Sequence, residues 1–306
     1  MNIKSDSRKI EKGDTFIALD GVNHHGHEYI EDAIKRGAKR IICTEGNYDV
    51  ETIYVPNTHE YLVEYLDATY QEELQDIKLI GVTGTNGKTT TTSMIYNIIK
   101  ESGHPVITNN TGANLFPGIV TTFVDNFKFG SKVKDNYAVI EVDEANLKYI
   151  TEYITPEVIT VTNLFRDQLD RYGEVYTTLN KILEGIYNVP ETTLVLNGDE
   201  SLLGKLDLKN PVHFYGFDKA VNDNKTIEIN ADAKFCKFCK TPYEYNFVTY
   251  NHLGDFYCPN CGYKRSDLMY AVTDIIDINA DGSTVKFNDL EVSITQSGTY
   301  NIYNGL

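Results

Sequence analysis

No stretch of the 306 residues reaches the roughly 18 consecutive apolar positions that a membrane-crossing helix needs. The opening residues, MNIKSDSRKIEKGD, also lack the apolar core of a secretory signal. A cytoplasmic protein is therefore expected. Basic residues are in the minority: 28 Lys and Arg stand against 44 Asp and Glu, a net charge of -16. Clustered Lys and Arg drive binding to a nucleic-acid backbone, so this balance argues against nucleic acid as a partner. Cysteine is scarce, at five residues, and a chain of this length buries a core without disulfide help. Cys43 stands alone in the apolar run RIICT and reads as a buried strand residue. The other four form two CxxC pairs.

Residues 1–76 alternate short apolar runs (TFIAL at 15–19, RIICT at 40–44, TIYVP at 52–56) with helical patterns at 27–38 and 59–70. That order describes a small α/β domain, and the polar segment QEELQD (71–76) marks its expected boundary. From Lys78 the pattern restarts: the buried strand KLIGVT, a glycine-rich turn, and a helix from Lys88 to Glu101. Strands are expected at 137–142, 157–162, 193–197 and 212–217 with helical segments between them, which argues for a mainly parallel sheet flanked by helices over 77–306. From about residue 270 the pattern turns to hairpins, with ADGS as a turn between two alternating runs.

The turn after KLIGVT reads GTNGKTT. A common phosphate loop has Gly, four residues, then Gly-Lys-Ser/Thr, which would put the first glycine at Val82; the glycines are instead Gly81, Gly84 and Gly87. Even so, a strand, a glycine turn and a helix N-terminus together let backbone N–H groups reach phosphate oxygens. Gly84, Thr85, Asn86, Gly87, Lys88, Thr89 and Thr90 form the expected loop for ATP, with Lys88 on the outer phosphates and the Thr89 hydroxyl on Mg2+. Glu141 lies inside an apolar run, where a carboxylate is costly unless paired or coordinated, and is the candidate Mg2+ ligand. Asp143 and Glu144 read equally as site residues or as solvated loop charges. TNLFRDQLDRYG gathers further polar residues at the next strand end, Asn163 and Asp167 among them.

Cys236-x2-Cys239 and Cys258-x2-Cys261 have zinc-ribbon spacing. Two such turns close a tetrahedral shell of four thiolates, so a Zn2+ there has no open position and is structural. The ribbon is expected to occupy 234–265. The segment between the pairs alternates aromatic and polar residues like a hairpin.

TGTNGKTT, EVDEANL and TNLFRDQLDRYGE together resemble the Mur ligase family, ATP-dependent enzymes of peptidoglycan biosynthesis. Over residues 78–306, NNTGANLFPGIV, LNGDES, FYGFD, GTYNIYN and the cysteine ribbon are similar to its MurT-type branch, the synthetase subunit of lipid II isoglutaminyl synthase. Residues 1–76, with Asp6-Ser7-Arg8, Gly13-Asp14 and Gly26-His27, resemble instead the N-terminal domain of MurE-type members, which binds a UDP-muramyl ligand; a packing domain without sugar binding is the alternative. The resemblance implies that ATP phosphorylates a carboxylate and that an amine or ammonia then displaces phosphate. It gives Lys88, Glu141, Asn163 and Asp167 catalytic roles and puts Asn197, Asn301 and Asn304 near the adenine. Gln168 stands where amino-acid-adding members carry histidine, which favours the MurT-type reading: amidation of the D-glutamate α-carboxyl of lipid II with ammonia from a GatD-like glutaminase. A MurE-like ligase acting on UDP-muramyl dipeptide is the alternative. Family members continue past the position of Leu306 into a C-terminal domain, so an ATP-binding protein without turnover is a third expectation.

Overall fold

The computed structural model describes residues 2–20, 25–109, 112–126, 136–165, 174–227 and 233–306. The first sheet has four parallel strands in sequential order: β1 (Ile3–Lys4), β2 (Thr15–Ile17), β3 (Arg40–Cys43) and β4 (Glu51–Tyr54). Successive side chains on a strand face opposite sides. Phe16 and Ile41 accordingly pack with Ile30 and Ala33 of helix α1 (Ile30–Lys35), whereas Ile17 and Ile42 pack with Leu62 and Leu66 of α2 (Thr58–Gln75). Cys43 is fully buried on the α1 side, and desolvation raises its thiol pKa.

Helix α2 runs through the segment expected as a polar boundary. QEELQ is made of good helix formers, and the only irregularity is a non-helical backbone at Tyr70 (φ -132°, ψ 19°).

Among the described residues the second sheet has nine strands, in the order β15-β14-β13-β10-β9-β8-β5-β7-β6. In chain order its elements are β5 (Lys78–Thr83), α3 (Lys88–Glu101), β6 (Val106–Thr108), α4 (Phe116–Asn126), β7 (Tyr137–Glu141), α5 (Leu147–Thr151), β8 (Val158–Val161), α6 (Glu174–Tyr187), β9 (Thr193–Asn197) and β10 (Val212–Phe217). The hairpin β11 (Glu244–Tyr250) and β12 (Leu253–Tyr257) then stands apart as its own two-stranded sheet. β13 (Tyr270–Ile278), β14 (Ser283–Phe287), β15 (Leu290–Ile294) and helix α7 (Thr299–Gly305) complete the chain. Pairing is parallel from β6 through β13, and only β14 and β15 are antiparallel. The turn expected at ADGS closes between Asn279 and Gly282.

One face of this sheet packs Leu79, Ile140, Ile159 and Leu194 against helices that include α4, α5 and α6. The other packs Tyr215, Phe217 and Val272 with Ile302 and Tyr303 of α7. α4 also supplies Val124 to the first sheet's core, and its Asp125 accepts hydrogen bonds from the Ser5 N–H (3.4 Å) and hydroxyl (3.2 Å). β5 lies between β7 and β8: the chain runs from β5 past β7 to β6, returns to β7, and then crosses to β8 on the other side of β5, so the strand order reverses there. A crevice opens at the carboxyl ends of strands at such a reversal.

Candidate functional site

The turn after β5 sits in that crevice. Gly84 and Gly87 have φ of +116° and +87°, a region L side chains rarely adopt, and a Cβ on Gly87 would collide with Asn304 Oδ1. Gly87 is also the N-cap of α3, so the helix directs its free N–H groups into the loop. The neighbouring strand end holds the loop's shape. Asn163 accepts from the Thr85 N–H (2.9 Å) and hydroxyl (3.0 Å) at its carbonyl, and from the Asn86 N–H (3.2 Å) at Oδ1. Thr162 Oγ1 donates to the Asn86 carbonyl (2.7 Å).

Thr89 Oγ1 donates to Glu141 Oε2 (2.8 Å), so the two residues expected to share a divalent ion already touch. Glu141 is only 7% exposed. Its other oxygen accepts from Asn114 Nδ2 (3.0 Å), and Asn109 brackets its backbone with bonds of 2.8 and 2.9 Å. Lys88 Nζ donates to the Gly84 carbonyl (2.5 Å) and pairs with Glu144 Oε1 (2.9 Å). Glu144 is thus part of the loop's charge balance, while Asp143 caps the following turn through Ala145 N (3.0 Å) and Asn146 Nδ2 (2.8 Å). Asp167, with Arg166, Gln168 and Asp170, lies outside the described residues.

Beside the loop is a cavity of about 310 Å³. Asn86, Gly87 and Thr90 line its phosphate-loop side, with Asn163 and Phe165 below them. Tyr300, Tyr303 and Asn304 of α7 form a second side, and Tyr250 and Leu253 of the β11–β12 hairpin close the third. Asn304 Nδ2 donates to Asn301 Oδ1 (3.0 Å), and its carbonyl accepts from Thr91 Oγ1 (3.0 Å), which fixes α7 against α3. Asn197 is fully buried but does not line the cavity; its Oδ1 accepts from Asp199 N (3.0 Å) in the turn after β9. The hairpin residues and Phe165 carry no sequence signal as site residues.

The four cysteines converge, with every Sγ within 4.8 Å of the others. Cys236 and Cys261 sulfurs are 3.5 Å apart, and those of Cys239 and Cys258 3.4 Å. Tetrahedral bonding at about 2.3 Å requires sulfurs about 3.8 Å apart, so the set fits a metal with small adjustments. Each pair sits on a tight turn, closed by Lys240 N to Cys236 O (2.9 Å) and Gly262 N to Cys258 O (3.0 Å). Hydrogen bonding to the Thr241 side chain and backbone pulls the Cys239 thiol down to about 5, toward the thiolate a metal binds.

A buried polar network ties this ribbon to the body. Asp199, fully buried, accepts from Arg265 Nη1 (2.9 Å), the Tyr303 hydroxyl (2.7 Å) and Phe217 N (2.9 Å). Burial pushes its carboxyl above the ordinary carboxylate range, and Arg265 opposes that shift. Glu200 Oε2 meets His252 Nε2 at 2.7 Å, both side chains fully buried.

Comparison with known proteins agrees with this architecture. The Mur ligase middle domain profile matches residues 82–263, and the profile described as Mur ligase family, catalytic domain, matches residues 1–74. The MurT subunit of lipid II isoglutaminyl synthase (glutamine-hydrolyzing) from Streptococcus pneumoniae is 41% identical over 77% of this chain and 52% of its own length. A UDP-N-acetylmuramoyl-L-alanyl-D-glutamate--2,6-diaminopimelate ligase from Clostridium perfringens is 28% identical over 90% of this chain and 63% of its own. The crystal structure of MurF from Acinetobacter baumannii superposes with a TM-score of 0.68 at 17% identity, covering 99% of this chain and 57% of that one. The chain spans about half the length of the MurT relatives it matches. With its middle-domain match extending over more than half of its residues, this chain belongs to the Mur ligase family.

Proposed function

We propose that the chain carries the ATP-binding and carboxylate-activating centre of a carbon–nitrogen ligase of peptidoglycan biosynthesis, of the type that amidates lipid II. The observation that carries this reading is the Thr89–Glu141 contact beside a glycine loop whose lysine already holds a carboxylate partner. Gly84, Thr85, Asn86, Gly87 and Thr90 supply the cradle, and Lys88 exchanges Glu144 for phosphate oxygens. Thr89 and Glu141 would hold Mg2+, which supplies charge neutralisation on the phosphates. Phosphoryl transfer is mainly a matter of positioning and charge. The substrate carboxylate attacks the γ-phosphorus, ADP leaves, and ammonia displaces phosphate from the acyl phosphate to give the amide. Asn163 shapes the loop through three hydrogen bonds, and Asp167 is proposed to act beside it. Asn301 and Asn304 are proposed at the base side, with Asn197 behind them. Zn2+ is the proposed occupant of the four cysteines.

The proposed domains are 1–76, and 77–306 with the ribbon at 234–265. The substrate is proposed to be the D-glutamate α-carboxyl of lipid II, with ammonia from a GatD-like glutaminase. Incubation with ATP, magnesium, lipid II and ammonium, read by mass spectrometry for carboxyl-to-carboxamide conversion and by ADP release, tests this. ADP release that requires lipid II supports the reading; ATP binding with no lipid II-dependent ADP supports a binding protein without turnover. Residues 1–74 favour a second reading, amino-acid addition to UDP-muramyl dipeptide. Consumption of that substrate with an amino acid in place of lipid II and ammonium selects it.

A further inference from the structure

The cysteine ribbon reaches the cavity beside the phosphate loop. Cys236 and Cys239 stand before β11, Cys258 immediately after β12, and Cys261 three residues later, so the four-cysteine cluster lies at the root of the hairpin, where a bound metal would clamp it. The hairpin's far end is its turn, Tyr250 to Leu253, and that end forms one wall of the cavity. There Tyr250 is 42% exposed, with its ring 6.0 Å from Phe165 and 5.9 Å from Tyr300. Leu253 is buried in the cluster that holds Phe165 and Tyr303.

The turn is fixed from below as well. His252 bonds Glu200, its ring lies 4.9 Å edge-on to Phe165, and its carbonyl accepts from the Tyr245 hydroxyl (3.1 Å). The cavity runs from Asn86, Gly87 and Thr90 of the loop to this wall, so a nucleotide held by its phosphates at the loop would carry its base into it. An exposed aromatic ring there offers the face on which a base stacks.

We propose that the metal-bound ribbon is a structural part of the nucleotide site: its hairpin presents Tyr250 and Leu253 as the wall against the nucleobase, so nucleotide affinity depends on metal in the four-cysteine site. This rests on the phosphate-loop reading above. The metal acts at a distance. With the root clamped, the hairpin would keep its register and the ring its place; without the metal, the root would lose four thiolate–metal bonds and the wall would loosen. The phosphate cradle, built from β5, α3 and the β8 end, meets the hairpin through the Phe165 ring; its own bonds, among them the Phe165 N–H to Thr85 Oγ1 (2.5 Å) and those of Asn163, lie outside the ribbon and keep its grip.

The test measures dissociation constants for Mg-ATP and Mg-tripolyphosphate by titration calorimetry, with and without chelator stripping. Tripolyphosphate reports on the loop alone. Tyr250→Ala is expected to weaken ATP binding by about tenfold, the loss of one aromatic–base contact, and to leave tripolyphosphate unchanged. Tyr250→Phe should retain ATP affinity. Metal removal should weaken ATP at least as much as Tyr250→Ala, spare tripolyphosphate, and leave Tyr250→Ala no further effect in stripped protein. ATP affinity that is indifferent to Tyr250→Ala or to stripping overturns the proposal. So does an equal fall for tripolyphosphate, which would locate the effect in the loop. Failure of the untreated protein to bind tripolyphosphate at all would instead overturn the phosphate-loop reading on which the proposal stands.

Discussion

Replacing Arg265 with Leu isolates the electrostatics that join the ribbon to the body. Asp199 loses its cationic partner but keeps the Tyr303 hydroxyl and the Phe217 N–H, and it stays fully buried. Removing one partner of a buried ion pair costs about 3–5 kcal/mol, because the remaining charge is left uncompensated. The Arg265 contacts to Asp218 (3.0 Å) and Asp255 (3.3 Å) involve more exposed carboxylates and add under about 1 kcal/mol each. Asp199→Asn in the same background removes the stranded charge and should recover a substantial part of the loss.

Acidity gives a second signature. Burial raises the folded-state pKa of Asp199 above its unfolded value, and loss of Arg265 raises it further. The folded state then holds the proton to a higher pH than the unfolded chain, so stability falls as pH rises through that window and returns as pH drops. Urea unfolding followed by tyrosine circular dichroism, at about pH 7 and about pH 5, should show the Arg265→Leu deficit shrinking at the lower pH. A deficit below about 1 kcal/mol, or one indifferent to both pH and Asp199→Asn, is incompatible with a buried ion pair between Asp199 and Arg265.

Other predictions concern the loop and the thiols. Lys88→Ala should weaken tripolyphosphate by about 10- to 100-fold, the value of a charge-assisted bond to an anion, and calorimetry showing native affinity would contradict the loop assignment. Because Glu144 occupies the Lys88 ammonium, Glu144→Gln should tighten tripolyphosphate binding severalfold in magnesium-free buffer; weaker binding would mean the ion pair does not compete with phosphate. A thiol reagent should find the four ribbon cysteines protected when metal is bound and reactive after chelation, with Cys43 silent in both; rapid reaction of Cys43 would contradict its complete burial.

Much of the site was legible because its chemistry is local in sequence. The glycines, Lys88 and Thr89 follow one strand and open one helix, and Glu141 stood out as a charge inside an apolar run. The four cysteines announced themselves by spacing. Glu144 was ambiguous because a loop carboxylate has no periodic signature, and only the fold brings it within 2.9 Å of Lys88, 56 positions away. Asn109 and Asn114 were missed as supports of Glu141 for the same reason. β1 and β6, at two and three residues, are too short to show alternation. The placement of Tyr250 and Leu253 at the cavity was invisible, since the hairpin pattern is local while its docking beside the loop depends on buried partners such as Glu200 and Asp199.

If this loop energises a carboxylate, an acyl phosphate forms on the way to the amide. Turnover of lipid II carrying oxygen-18 in the D-glutamate α-carboxyl, with ATP, magnesium and ammonium, follows that oxygen. One labelled oxygen should appear in the released inorganic phosphate. Amide formation accompanied by unlabelled phosphate would contradict an acyl phosphate intermediate.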